Sequence, residues 1–184
     1  WTGAVSSNWH DPDNWADLLV PNASTDVTIP SGVPNYPNVS VTDGNCNSLV
    51  VESGAMITVG AVDLNIATDM TIHGNLTMNN TASRVYADGN VVWESGSTAG
   101  MTGSARIVVE GNWNFQPGAN VQLTSGYVEF SGSTDAWIRS FEASCHFNHL
   151  NANKTGAFLS FSDLSTQPLH IHGNLYNYSG CTLY

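Results

Sequence analysis

Few side chains in this sequence carry chemistry, and their spacing limits what they could do. His170-x-His172 places two imidazoles two residues apart, which puts both on one face of a strand at metal-ligand spacing. The slot before a Gly-Asn pair that holds His172 also holds His73, Asp88 and Glu110 elsewhere, so an outward polar position accounts for it more simply. His146-x-x-His149 would set its two rings on opposite faces of a strand. Asp11, Asp13 and Asp26 could help bind Ca²⁺ through carboxylate and carbonyl oxygens, but no twelve-residue EF loop or glycine-aspartate nonapeptide accompanies them. Cleaving a polysaccharide needs clustered carboxylates, often with a cation and a basic side chain. The basic residues are only Arg84, Arg106, Arg139 and Lys154, and Arg106 with Glu110 reads as a surface ion pair. Nucleophile elbows, phosphate loops and CxxC pairs are absent. Cys46, Cys145 and Cys181 leave an odd count. One disulfide, Cys145 to Cys181, is compatible with it and not demanded. The expectation is a non-enzyme with no catalytic residue, no metal site and no required cofactor.

The elements that would position these residues follow from composition and pattern. A chain of 184 residues suits one domain. Charged residues make up 10%, and 4 Lys and Arg stand against 15 Asp and Glu, a formal charge of −11. That balance repels phosphate backbones and anionic membrane surfaces, so neither nucleic acid nor membrane is an expected partner. No run of about 18 apolar residues exists to span a bilayer. Ser, Thr, Asn and Gly replace charge, as is common outside cells. An export signal, if there was one, would have been removed before Trp1.

Short alternating runs of Val, Ile, Leu and Thr, split by Gly, Asn, Ser and Asp, predict an all-β chain. Four segments align without gaps: MTIHGNLTM (70–78), VYADGNVVW (85–93), IVVEGNWNF (107–115) and LHIHGNLYN (169–177). TSGYVEF (124–130) is a degenerate fifth copy. A two-residue hairpin at Gly-Asn would mix polar and apolar residues on each face. Read as one continuous path, Met70, Ile72, Gly74, Leu76 and Met78 share a face, so the chain turns a corner at Gly and continues. Gly74-Asn75, Gly89-Asn90, Gly111-Asn112 and Gly173-Asn174 are thus strand corners, with the four Asn expected on one edge as an amide ladder. Extra residues are expected to leave as loops, as in SGSTAGMTGSA (95–105). The predicted fold is a right-handed parallel β-helix of about seven or eight coils, roughly 20–25 residues each, about 35–40 Å tall at the strand spacing. The alternative is an antiparallel β-sandwich.

A solenoid must cover its ends. Trp1, Trp9 and Trp15, with the turn signal Asp11-Pro12-Asp13-Asn14, read as an N-terminal cap over residues 1–26. Residues 27–184 are then the coils, expected to continue beyond 184. The competing reading makes the three rings a sugar-stacking platform. At the other end Tyr176, Tyr178, Leu183 and Tyr184 lack an aromatic plug and are the expected end-to-end contact.

The order Trp1-x-Gly3, Asn8-Trp9, Asn14-Trp15, Val20-Pro21, Asp26-Val27-x-Ile29-Pro30-x-Gly32 and Pro37 resembles the start of repeat regions in large secreted surface proteins of bacteria that use the type IX export route. The Gly-Asn-Leu segments and Phe147-x-x-Leu150 look like the strand repeats that follow there. The region after Val27 is more weakly similar to the eight-glycine extracellular domain. The resemblance implies an adhesin-like β-solenoid at the bacterial cell surface, with no catalytic motif to carry over. Two departures from the resemblance are expected: the pattern breaks off at SGCTLY, and no C-terminal sorting domain falls within these residues. Three functions stand at this point: a structural or adhesive element, a filament subunit stacking end to end, and a carbohydrate-binding or polysaccharide-degrading protein. The partners would be neighbouring coils, identical subunits, or glycans.

Overall fold

The computed structural model describes residues 1–162, 164–178 and 180–184. Three parallel sheets form the faces of a coil with three corners. Face one holds β1 Val27–Ile29, β4 Leu49–Val51, β7 Met70–Ile72, β10 Val91–Trp93, β13 Trp113–Phe115, β15 Ala136–Ser140, β18 Phe158–Phe161 and β21 Thr182–Leu183. Face two holds β2 Asn38–Val39, β5 Met56–Val59, β8 Asn75–Met78 and β11 Thr98–Met101, and β16 His146–Phe147 and β19 His170–Ile171 continue it. Between those groups Gln122 makes only an isolated parallel bridge to His146. Face three holds β3 Gly44–Cys46, β6 Asp63–Ile66, β9 Arg84–Ala87, β12 Arg106–Val109, β14 Tyr127–Phe130, β17 His149–Ala152 and β20 Leu175–Asn177. The path runs face one, two, three and repeats, giving about seven turns of a β-solenoid. Every strand pairing among the described residues is parallel, which rules out the sandwich.

Register gives the coil lengths. Val27 pairs with Leu49, Leu49 with Met70, and Met70 with Val91, so the first three coils advance by 22, 21 and 21 residues. Val91 to Trp113 is 22 and Trp113 to Ile138 is 25. The coil lengthens where the core becomes aromatic. Aliphatic residues fill the early coils, whereas Trp93, Trp113, Phe115, Phe130 and Phe147 fill the later ones with ring centroids 5.3–6.4 Å apart. Bulkier interior side chains need a wider ring of backbone to hold them at native packing density. The core is one continuous apolar column, built by the period-two alternation of each strand.

The Gly-Asn pairs do mark corners, but not one edge. Gly74 turns from face one to face two, Gly89 and Gly111 from three to one, and Gly173 from two to three. None of the four has a positive φ. What each requires is close stacking. A Cβ on Gly74 would lie 2.2 Å from the Ala55 carbonyl oxygen, and one on Gly111 would lie 2.4 Å from the Gly89 oxygen. Segment 95–105 also departs from expectation. Residues 98–101 form β11, because their ladder with β8 orders a stretch in which Ala99 and Gly100 have little strand preference of their own.

Candidate functional site

The opening residues form a cap. Asp11 Oδ1 accepts the Asp13 N–H at 3.1 Å and starts a 3-10 turn over Pro12–Asn14, with Pro12 at its first position. Asn14 is fully buried and organises the loop. Its Oδ1 accepts the amides of Val5 and Ser6 at 3.0 and 2.9 Å, and its Nδ2 donates to the Asn8 carbonyl at 3.0 Å. Trp9 is 0% and Trp15 5% exposed, while Trp1 is half-buried. The rings meet edge to face, Trp1–Trp15 at 4.8 Å and Trp9–Trp15 at 4.9 Å. Trp15 Nε1 donates to the Trp9 carbonyl and Trp1 Nε1 to the Asn35 carbonyl. Ser7 and Trp9 also bond β2 as a partial extra rung: Asn38 N–H donates to Ser7 O at 2.7 Å. Trp9 and Trp15 therefore belong to the core, not to a stacking platform. A cleft of about 260 Å³ remains beside Trp1 and Trp15, bordered by Asp17, Leu19, Asp26 and Thr28.

Polar side chains at the corner from face three to face one bond along the solenoid axis. Ser48 Oγ and Asn47 Nδ2 donate to Asp26 Oδ1 at 2.6 and 2.7 Å, and these two bonds hold the Asp26 carboxyl below its ordinary pKa. Asp69 Oδ1 accepts from Asn90 N–H and Nδ2 at 2.7 and 3.0 Å. Asn90 Oδ1 accepts from Asn112 Nδ2 at 2.8 Å, and Asn112 Oδ1 accepts the Trp137 N–H at 3.0 Å. Only Asn90 and Asn112 share this column. Asn75 lies on face two and donates to Thr98 Oγ1, and Asn174 lies at the corner from two to three and donates to the Tyr176 hydroxyl. The single amide ladder expected from sequence is thus split, because spacings of 15 and 62 residues are not whole coils while 22 is.

The basic side chains are committed to neighbours. Arg106 pairs with Glu129 one coil on, not with Glu110. Four residues of strand span about 13 Å, whereas the next coil lies about 4.8 Å away. Glu129 also accepts from Asn153 Nδ2. Arg139 lies 4.3 Å from the Trp137 ring centroid. Lys154 is 1% exposed, with its amine donating to the Glu110 carbonyl, and burial lowers its pKa.

All three cysteines are free and buried. The Cys145–Cys181 bridge is not formed, because the two lie on different sides of the coil. Cys145 precedes β16 on face two, against the Val121 amide, and Cys181 precedes β21 on face one. Burial, then Asp26, pushes the Cys46 thiol up to about 12. No three His, Cys, Asp or Glu side chains converge as a metal site among the described residues. Asp11 serves the cap turn and Asp26 the corner column, so their carboxylates have separate tasks.

The histidines are arranged differently from expectation. His146 and His149 sit on β16 and β17, two sheets rather than two faces of one strand, because the chain turns at Asn148. His172 lies past the end of β19, and its ring stacks on His146 with centroids 3.9 Å apart. His146 is 8% exposed, a position no alternation pattern marked. At the last coil Leu175, Tyr176, Tyr178 and Tyr184 are exposed and Leu183 is half-buried.

The family model described as a domain of unknown function, DUF8693, matches residues 1–109, the cap and the first four coils to the end of β12. The chain belongs to the DUF8693 family. No curated protein and no solved structure matches it. The DUF8693 match thus begins at the tryptophan cap and takes in two of the four corner glycines, Gly74 and Gly89, with Gly111 just beyond its end.

Proposed function

We propose that this DUF8693 chain is a non-enzymatic structural element of an exported, adhesin-like bacterial surface protein. The observation that carries the reading is the unbroken parallel ladder of face one, eight strands from β1 to β21 around a continuous apolar core. Such a ladder turns many small backbone bonds into a rod that opens only by peeling coil from coil. The outward polar groups support it: they bond along the axis to the next coil, as in Asp69–Asn90–Asn112, and so serve the rod. The resemblance of the first forty residues to type IX-exported surface proteins supplies the extracellular setting. The test is limited proteolysis and single-molecule extension. A rod should resist protease at its faces and unfold in steps of one or a few coils. A single low-force rupture with early cleavage inside β4 to β13 would sink the reading.

The cleft beside Trp1 and Trp15 favours a second reading, carbohydrate binding. An indole next to the carboxylates of Asp17 and Asp26 and the hydroxyl of Thr28 can meet both the apolar and the hydroxyl faces of a sugar. A glycan array read with wild type and Trp1→Ala separates the two. Binding lost in the variant supports the sugar site, and no binding to either leaves the structural role alone.

A further inference from the structure

Four of the six histidines, His146, His149, His170 and His172, lie in the last two coils, where they join one coil to the next. His149 Nδ1 accepts the Asn174 N–H at 2.9 Å. Only an imidazole with a lone pair on Nδ1 can do this. The same ring abuts Gly173, where a Cβ would come within 2.5 Å of Nδ1, so the Gly173-Asn174 corner is seated on a neutral His149. On β16, His146 Nδ1 faces the Ser144 carbonyl at 3.2 Å and must donate to it. Its Nε2 is then the unprotonated nitrogen, and it is buried with no hydrogen-bond partner among the described residues. A proton added there would have no acceptor, and it would sit beside the stacked His172 and the register partner His170.

We propose that the seventh coil is an acid-released latch: protonation of His146 and His149 detaches the segment His170–Tyr178 from the sixth coil while the earlier coils stay folded. Among the described residues the surroundings contain little to hold the cations. His146 meets Gln122 from the coil before, Ser144 and Cys145 on its own segment with Glu142 beyond them, and His170 and His172 from the coil after. His149 meets Tyr127 before it, with Arg106 near that ring, and Asn174 and Tyr176 after it. Glu129, the carboxylate on the neighbouring strand, is taken by Arg106 and Asn153. Tyr127 alone would accept a cation on its ring, but the Asn174 N–H aimed at Nδ1 opposes it. Burial, with His172 and His170, keeps the His146 ring below its ordinary pKa against the opposing Ser144 bond. A histidine whose folded pKa is depressed gives stability that is full above its unfolded value, about 6.5, and lost as pH falls below it.

Hydrogen exchange at pH 7.5 and 5.0, corrected for the intrinsic rate, tests the latch on the whole chain. Protection of residues 170–178 should fall about tenfold or more relative to coils two to four. His149→Asn keeps an acceptor where Nδ1 stands and does not titrate, so it should remove part of the fall. His146→Asn with His149→Asn should remove most of it. In wild type, ¹H–¹³C spectra should show both rings titrating with the exchange transition. A uniform loss along the solenoid, no loss at all, or the same loss in His149→Asn with rings that titrate apart from it would overturn the proposal.

Discussion

A corner glycine here answers to its neighbour above or below, not to its own dihedral angles. Gly74, Gly89 and Gly111 each leave under 2.6 Å between a notional Cβ and an atom of the preceding coil. Replacing any of them by Val should destabilise the chain by more than about 1 kcal/mol, since coil must part from coil to admit the side chain. His73→Thr should melt within about 0.5 kcal/mol of wild type, because that outward slot is half-open. Gly100→Ala is the control: nothing lies within 4 Å of its Cβ. Thermal melts that rank Gly100 or His73 above the corner glycines would contradict the stacking account. Asn14 is the polar counterpart. Asn14→Ala removes the buried amide that holds the Val5 and Ser6 N–H groups and the Asn8 carbonyl and should cost about 2 kcal/mol or more, seen as a lower Tm and faster cleavage before Val27.

The cap is the element on which the first coil depends. Trp9 lies over the β2 and β3 end of the core, and Ser7 and Trp9 bond the edge of β2. Removing residues 1–20 should bare the edges of β1 and β2 together with Val27, Ile29 and Val39, and the shortened chain should associate in a way mass photometry detects. In the intact chain acrylamide should quench Trp1 and leave Trp9 and Trp15 shielded. Free quenching of all three, with a monomeric truncation, would return the tryptophans to a surface platform. The Gly-Asn motif teaches the same lesson about elements. One nine-residue pattern serves all three corners, although a corner does not require it: the chain also turns at Asn47-Ser48 and at Asn148 without a glycine.

At the scale of the molecule the two ends are unequal. Tryptophans cover the first coil, while Tyr176, Tyr178 and Tyr184 stand exposed at the last. Copies stacking head to tail would press an open coil onto a cap, so contacts between copies of this chain should involve residues near Tyr176–Tyr184 on both partners. Crosslinks at high concentration check this, and crosslinks joining the Trp cap to Tyr184 would favour the head-to-tail filament instead. Chelation with EDTA should shift Tm by no more than a degree or two. A large loss restored by Ca²⁺ would show that the acidic cap residues hold an ion.

The alternation of apolar residues determined an all-β chain, and the Gly-Asn corners favoured one that turns without reversing, with parallel coils of about the observed length, over the sandwich that the strand pairing then ruled out. The tryptophans among Asn and Asp suggested a cap but left a sugar-stacking platform open, because sequence does not show whether a large ring beside a turn is covered; the burial of Trp9 and Trp15 came with the tertiary structure. Alternation and corner are local consequences of side-chain period and backbone sterics, which neighbouring residues carry by themselves. Which corner each Gly-Asn occupies, and so which Asn stack, was set by the sum of all residues between them. Arg106 took Glu129 over Glu110, and the cysteines stayed apart, for the same reason: the next coil lies nearer than the next turn of sequence. The neutral histidine contacts of the last two coils belong to that class as well. A ring's partner across 25 residues, and the tautomer it must hold, exist only once the coils have been stacked.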